Sequence, residues 1–392
     1  MMRILYILVA VLVGFGAFAQ TEIEMARMGE QLISKGDTLG GIRSYINLLK
    51  RYPQSLPSTV RLMELKEAIG DFDTAIEYAN VSLDLIDYNI QQFGHTDENK
   101  KDLAAVYYLK GKIRMKQENY WAALELLEKT IENNPEFSEG YSELARAYFE
   151  TDKPALAMKI LKEGIIKAES WKINYNLGIL YTNTKNYDSA RACFLRSLDL
   201  NPEMLRPHYF LGSWDFANEK YEEATEHYEE YMSKYTDNKE VVYNLATSYM
   251  NVEKYYEAIS TWTMFLQLEE NNVEAYRNRG LSYMYINDFS KAHEDFNKSI
   301  SLKPANNYAY VNRGSVLYLQ GDLNGALDDF DVIIADFPHY SYGYYYRALC
   351  YKSKNRKKKS CQDMKEALDL GLSEETMEME LIKYCTDKKE RD

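Results

Sequence analysis

The stretch "YRNRGLSYMYINDFSKAHEDF", residues 276–296, returns 34 residues later as "YVNRGSVLYLQGDLNGALDDF", residues 310–330. Asn, Arg and Gly recur in the same register, as do an Ala, an Asp and a Phe. A fixed period of this length is the mark of a repeat architecture, in which each unit is one supersecondary element. With the Gly of the NRG triplet as position 8 of a 34-residue unit, the register extends both ways. Position 8 is Gly29, Gly111, Ala145, Gly178, Gly212, Ala246, Gly280, Gly314 and Ala348, and position 20 is Gly41, Ala123, Ala157, Ala190, Ala224, Ala258, Ala292, Ala326 and Ser360. Aromatics recur at positions 11 and 24, as in Tyr181 with Phe194 and Tyr283 with Phe296. Pro53, Pro135, Pro202, Pro304 and Pro338 stand at position 32.

Positions 4, 7, 8 and 11 share one face of a first helix, and positions 20, 24 and 27 one face of a second. Small residues at 8 and 20 let two antiparallel helices approach, while large ones at 11 and 24 fill the space beside them. Proline at 32 ends the second helix and starts the next turn. This pattern resembles the tetratricopeptide repeat family over roughly residues 22–374. The resemblance implies an all-α, right-handed superhelix (an α-solenoid) of about ten antiparallel helix pairs. The units begin near residues 22, 56, 104, 138, 171, 205, 239, 273, 307 and 341.

One unit departs from the period. Met63 replaces the small residue in the second repeat, and Ala75 is followed by Ala123 only 48 residues on, an insertion of 14. The segment "NVSLDLIDYNIQQFGHTDENKK" is expected to lengthen the second helix and close in a polar loop over residues 94–100, the place for a hinge. The expected organisation is therefore a signal peptide at 1–19, units 1–2 with the insertion at 20–101, and units 3–10 at 102–374. Residues 375–392 form a capping helix and charged tail, with Met377, Met379, Leu381, Ile382 and Tyr384 turned towards the inner surface.

The first nineteen residues are a different material. Arg3, an apolar stretch to Phe18 and the sequence Ala17-Phe18-Ala19 have the form of a secretory signal, and the stretch is short for a bilayer span. Export, into a bacterial periplasm or alternatively to the outside, is the expectation, with no membrane span after cleavage. The chain carries a net charge of −13, which argues against nucleic acid because phosphate neutralisation dominates that binding. Cys193, Cys350, Cys361 and Cys385 lack metal spacing, and the five histidines are scattered, so neither a metal nor a cofactor is called for. In an exported chain Cys361 and Cys385 are expected to form a disulfide, with Cys350 the competing partner and Cys193 a buried thiol. No nucleophile, base and phosphate loop assemble into a catalytic case, so the chain is read as a non-enzyme.

Two polar positions remain. Position 7 is Leu in earlier units and Arg279, Arg313 and Arg347 in the last three, while position 23 changes in step to Asp295, Asp329 and Asp363. An Arg–Asp ion pair within or between repeats is the simplest account, ahead of an arginine row that grips an anion. Asn176, Asn244, Asn278 and Asn312 recur at position 6, although asparagine is a mediocre helix former. By helical phase they neighbour positions 2, 9 and 13, which in this family line the concave groove. They resemble the asparagine ladder that holds a peptide backbone in the repeat domain of O-GlcNAc transferase. A solvated or internally bonded asparagine is the favoured plain reading. Tyr308, Tyr318, Tyr342 and Tyr345 are assigned to the same groove, where a ring and a hydroxyl suit peptide or glycan contact. The basic run "KSKNRKKKS" is read as a solvated turn. The resemblance implies a binder of proteins or peptides, serving as an envelope scaffold or assembly factor. The alternatives are an accessory carbohydrate-binding subunit or a partner that presents substrate to a separate enzyme.

Overall fold

The structure, a computed structural model, describes residues 18–386. The expected signal segment, apart from Phe18 and Ala19, and the charged end of the tail therefore lie outside the described residues. The described residues form 21 α-helices, which group as ten consecutive antiparallel pairs and one closing helix. The first pairs are α1 (Phe18–Ser34) with α2 (Thr38–Arg51), α3 (Leu56–Ala68) with α4 (Phe72–Phe93), and α5 (Asp97–Lys116) with α6 (Tyr120–Asn133). Next come α7 (Ser138–Glu150) with α8 (Pro154–Ala168), α9 (Trp171–Asn183) with α10 (Tyr187–Leu200), and α11 (Arg206–Ala217) with α12 (Tyr221–Met232). The series continues with α13 (Lys239–Asn251), α14 (Tyr255–Leu268), α15 (Val273–Tyr285) and α16 (Phe289–Leu302). It ends with α17 (Asn307–Leu319), α18 (Leu323–Asp336), α19 (Ser341–Ser353), α20 (Lys357–Asp369) and the closing α21 (Met379–Thr386).

The 34-residue rule explains the joints. In all ten repeats the residue at position 15 has positive φ, and glycine holds it only as Gly36, Gly70 and Gly321. Elsewhere Glu118, Asp152, Lys185, Glu219, Glu253, Asn287 and Asn355 take the left-handed conformation at a cost of about 1–2 kcal/mol each. In six repeats the next residue is Asp or Asn and its side chain caps the second helix; in the other four it is Lys153, Lys220, Lys254 or Arg356, with no side-chain cap bond. Asp37 accepts from the Gly40 amide at 2.7 Å, and Asp288 from Lys291 at 3.3 Å. At position 8 the glycines are needed for contact. A Cβ on Gly280 would lie 2.7 Å from the Phe296 ring, which is fully buried. The last repeat has Ser360 at position 20, and its hydroxyl is satisfied by the Ala348 carbonyl at 2.8 Å.

The chain divides into two compact units between Pro207 and His208, in the first turn of α11. In the first, each helix packs on its chain neighbours and the core passes from pair to pair. Tyr141, Leu161, Ile173 and Leu177, for example, form one cluster across α7, α8 and α9. The second unit does the same, with Trp262 and Tyr228 fully buried at the centre of its largest cluster. The insertion in repeat two differs from expectation. It is shared by two long helices, α4 of 22 residues and α5 of 20, and only residues 94–96 lie between them. Residues 97–100 are helical because Thr96 caps α5 through the Asn99 amide and the Asn99 side chain reaches back to the Gly94 carbonyl. Ile86, Leu103, Val106 and Ile113 bury the added turns against each other.

The cap also departs in one detail. Met377 and Leu381 are buried, but Met379, the first residue of α21, is 67% exposed. Cys361 and Cys385 are joined by a disulfide, their Cα atoms 5.3 Å apart, while Cys350 is buried and Cys193 half-buried. The basic run is less solvated than its composition implies. Lys352 reaches Glu380 of the cap at 3.1 Å, Lys354 donates to Asn324 at 2.7 Å, and Lys357 lies 5.5 Å over the Tyr384 ring.

Candidate functional site

Position 7 arginines are structural in geometry. Arg279 grips Asp295 of its own pair by two bonds of 2.7 and 2.8 Å, and Arg347 grips Asp363 in the same way. The third nitrogen reaches the preceding pair, at position 25 each time: Arg279 to Thr263 at 3.1 Å, Arg313 to Asn297 at 2.5 Å and Arg347 to Asp331 at 2.6 Å. One guanidinium thus staples its own two helices together and ties them to the repeat before. The carboxylates are nearly buried, and burial raises the Asp295 carboxyl even against the Arg279 guanidinium, so the pair serves geometry more than net stability.

Position 2 is exposed in the last four repeats, at Glu240, Glu274, Tyr308 and Tyr342, and position 6 beside it is mostly half-buried. In the first unit these positions line a concavity of about 220 Å³, with Glu139, Lys172 and Arg206 from position 2 and Glu143 and Asn176 from position 6. Tyr108, Tyr175 and Trp171 add aromatic walls. Both charge signs are present, and Lys172 stands 3.8 Å from Glu139.

In the second unit the same face changes character along the chain. Tyr209 and Tyr243 at position 5 donate to Glu240 and Glu274, the position 2 residues of the next repeat, at 3.0 and 3.1 Å. In repeats nine and ten position 2 is Tyr308 and Tyr342, which are 54% and 39% exposed. They belong to a contiguous run of rings. Tyr308 meets Tyr340 at 6.4 Å between centroids, Tyr340 meets Tyr342 at 5.8 Å, and Tyr342 meets Tyr346 at 6.3 Å. The Arg277 guanidinium lies 5.5 Å over Tyr308 at the other end. Burial, then the neighbouring Tyr308, Tyr346 and Tyr342, push the Tyr340 hydroxyl up to about 12, so it stays a donor throughout the physiological range.

The assigned groove residues separate accordingly. Tyr308 and Tyr342 are exposed on the face. Tyr318 is half-buried and accepts from Ser353 at 3.3 Å. Tyr345 corrects the expectation: it is buried in the core of the last repeat, and its hydroxyl accepts from the Glu378 amide at 3.3 Å. Position 5 turns inward there because the cap helix covers it. Tyr346 and Tyr340 were missed. Tyr346 sits at position 6, where earlier repeats carry asparagine, and that register was the signal that could have found it. The asparagines also diverge. Asn244 donates to the Tyr228 hydroxyl at 3.2 Å, and Asn278 is buried and accepts from Arg277 at 3.2 Å. Asn176 and Asn312 are half-buried, with Asn176 on the wall of the concavity.

Sequence profiles described as tetratricopeptide repeat match residues 114–171, 171–204 and 277–341. The chain is a tetratricopeptide-repeat protein. A curated relative, BBSome complex member BBS4 of Mus musculus, is 27% identical over 126 residues, which cover 30% of this chain and 24% of the relative. This tetratricopeptide-repeat chain therefore aligns with about a quarter of that relative's length. Among solved structures, MamA matches at 22% identity and TM-score 0.39, covering 41% of this chain and 94% of MamA. The C-terminal part of a TPR repeat-containing protein from Cytophaga hutchinsonii matches at 19% and 0.39, over 71% of this chain and 98% of that one. Yeast Tom70 matches at 13% and 0.38, over 93% and 88%. Tetratricopeptide repeats are protein-interaction folds. Among the described residues, no helix is long and apolar enough to cross a membrane.

Proposed function

We propose that this tetratricopeptide-repeat protein is an exported, non-catalytic interaction protein that holds an extended segment of a partner protein on the face built by positions 2 and 6. The signal-like composition of residues 1–19 supports export, and with it our reading of the chain as a scaffold or assembly factor in a bacterial envelope. The observation that carries the reading is the exposure of Tyr308 and Tyr342 at positions whose counterparts in the first unit line a concavity. Tyrosine gives large contact area at low entropic cost, together with a hydroxyl that can donate to a backbone carbonyl. Affinity capture from the native envelope tests it, with the wild-type chain compared with a Tyr308→Ala, Tyr342→Ala variant. Recovery of the same protein by the wild type and its loss with the variant supports the reading. Recovery of glycans alone, or of a protein indifferent to both substitutions, overturns it.

A further inference from the structure

Position 5 is tyrosine in repeats three, five, six and seven, as Tyr108, Tyr175, Tyr209 and Tyr243, but it is Ser142 in repeat four. The rings at this position have a fixed direction. Tyr209 and Tyr243 each reach position 2 of the following repeat, where Glu240 and Glu274 accept from their hydroxyls. In repeat four there is no ring to make that reach. Ser142 is buried, and its hydroxyl turns back to the Ser138 carbonyl at 3.3 Å. The residue that a ring at 142 would meet is Lys172, which stands at position 2 of repeat five in place of a glutamate. Ser142 and Lys172, the two ends of the missing contact, both line the concavity of about 220 Å³, and Tyr108 and Tyr175 form two of its walls. The array thus departs from its own pattern at two facing positions, and a cavity lies between them.

Resting on the interaction reading above, we infer that this gap takes an aromatic side chain of the partner segment, with a basic residue two positions to one side of it and an acidic residue two positions to the other. The volume is below the roughly 300–1,000 Å³ of small-molecule sites and suits a single ring delivered by a chain. Tyr108 and Tyr175 give that ring aromatic neighbours, and an aromatic anchor in a pocket concentrates binding energy. The charges set the flanks. Glu143 is held by Arg146 at 2.6 Å, whereas Lys172 stands 3.8 Å from Glu139, beyond hydrogen-bond reach. Both members of the longer pair are partly exposed, so it exchanges readily for closer partners. A partner carboxylate draws Lys172 of α9 and Arg206 of α11, and Glu139 of α7 then takes the partner cation. Alternate side chains of an extended segment lie on one side about 6.6 Å apart, and packed helices lie about 8–10 Å apart. One such step carries the segment from Glu139 to the gap, and the next carries it on to Lys172 and Arg206.

The test is calorimetric titration of the full chain with capped nine-residue peptides that are glycine except at the third, fifth and seventh places. With lysine, phenylalanine and glutamate there, the peptide should bind at least tenfold more tightly than the version with alanine for phenylalanine. Lysine at both flanks, or glutamate at both, should weaken binding about fivefold. Ser142→Tyr fills the gap with the ring usual at this position, so it should abolish the preference for phenylalanine without lowering the thermal melt. Lys172→Glu changes a partly exposed side chain and should weaken only the peptides that carry glutamate, which tests the site even if Ser142→Tyr disturbs the fold. A phenylalanine preference that survives in Ser142→Tyr, or no binding by the first peptide, overturns the inference. Free phenylalanine that binds as tightly as the peptide overturns it in favour of a small zwitterion. If Ser142→Tyr still captures the envelope protein that the Tyr308→Ala, Tyr342→Ala variant loses, the inference falls while the interaction reading stands.

Discussion

Arg313 holds the Asp329 carboxylate by two parallel bonds, Nε to Oδ2 at 2.9 Å and Nη2 to Oδ1 at 2.5 Å. Asp329 is 4% exposed, so removing the guanidinium strands a buried charge. Arg313→Ala should cost about 3–5 kcal/mol, and Arg313→Ala with Asp329→Ala should recover part of that loss. Denaturant melts of the two variants check it. A single mutant of wild-type stability that binds a partner less well would make the arginine a binding device instead.

The Cys361–Cys385 bond closes a loop of 24 residues around the last pair and its cap. Replacing both cysteines with serine should destabilise the cap by about 2–4 kcal/mol. Met377, Leu381 and the Lys352 ion pairs still hold α21 in place, so the effect should be local. Hydrogen exchange should quicken in residues 379–386 and leave the amides of α13 and α14 unchanged. Free thiols at both positions in protein from an oxidising compartment would contradict the assignment.

His208 and His227 face each other, Nδ1 to Nδ1, at 3.0 Å, and His227 lies 3.6 Å from the buried Asp215. Burial first, and then His227, hold His208 below the ordinary imidazole value of 6.5. The unfolded chain therefore takes up this proton at higher pH than the folded one. The contribution is intact above about 6.5 and is lost as the pH falls through that value towards the folded pKa. The melting temperature should drop between pH 7.5 and 5.5, and His208→Gln should flatten the slope. An unchanged slope in the variant would assign the effect elsewhere.

The asparagines at position 6 should behave unequally. Asn244 satisfies the hydroxyl of Tyr228, whose ring is fully buried, so Asn244→Ala should cost about 1 kcal/mol. Asn312 is half-buried at position 6 beside the exposed Tyr308, and Asn312→Ala should leave the melt unchanged because alanine favours helix. Thermal melts of the two single variants compare them directly. Equal losses would mean that both are internal.

The helix pairs were legible because the period repeats ten times and each joint has a left-handed residue at position 15, followed in six of the ten by an Asp or Asn cap at 16. Positions 7 and 23 change together along the chain, and their side chains meet in the structure. The third arginine contact, to position 25 of the preceding pair, was not legible, because it depends on how neighbouring pairs stack. The groove was only partly readable. Tyr345 and Tyr346 are adjacent, yet one residue turns a helix by about 100°, which buries the first beneath the cap and leaves the second in the ring row. The period locates a helix, but the cap decides which of its faces stays open. Residues 97–100 read as a polar loop from composition, and a single threonine cap makes them helix.

The central claim is that positions 2 and 6 hold a partner. Photo-crosslinking tests it most directly, with a benzophenone amino acid placed in turn at Tyr342 and at Tyr256, which is 73% exposed on the second helix of its pair. In cells that make the protein natively, the account predicts a discrete protein crosslink from position 342 and none of that product from position 256. The same product from both positions, or from 256 alone, would contradict it.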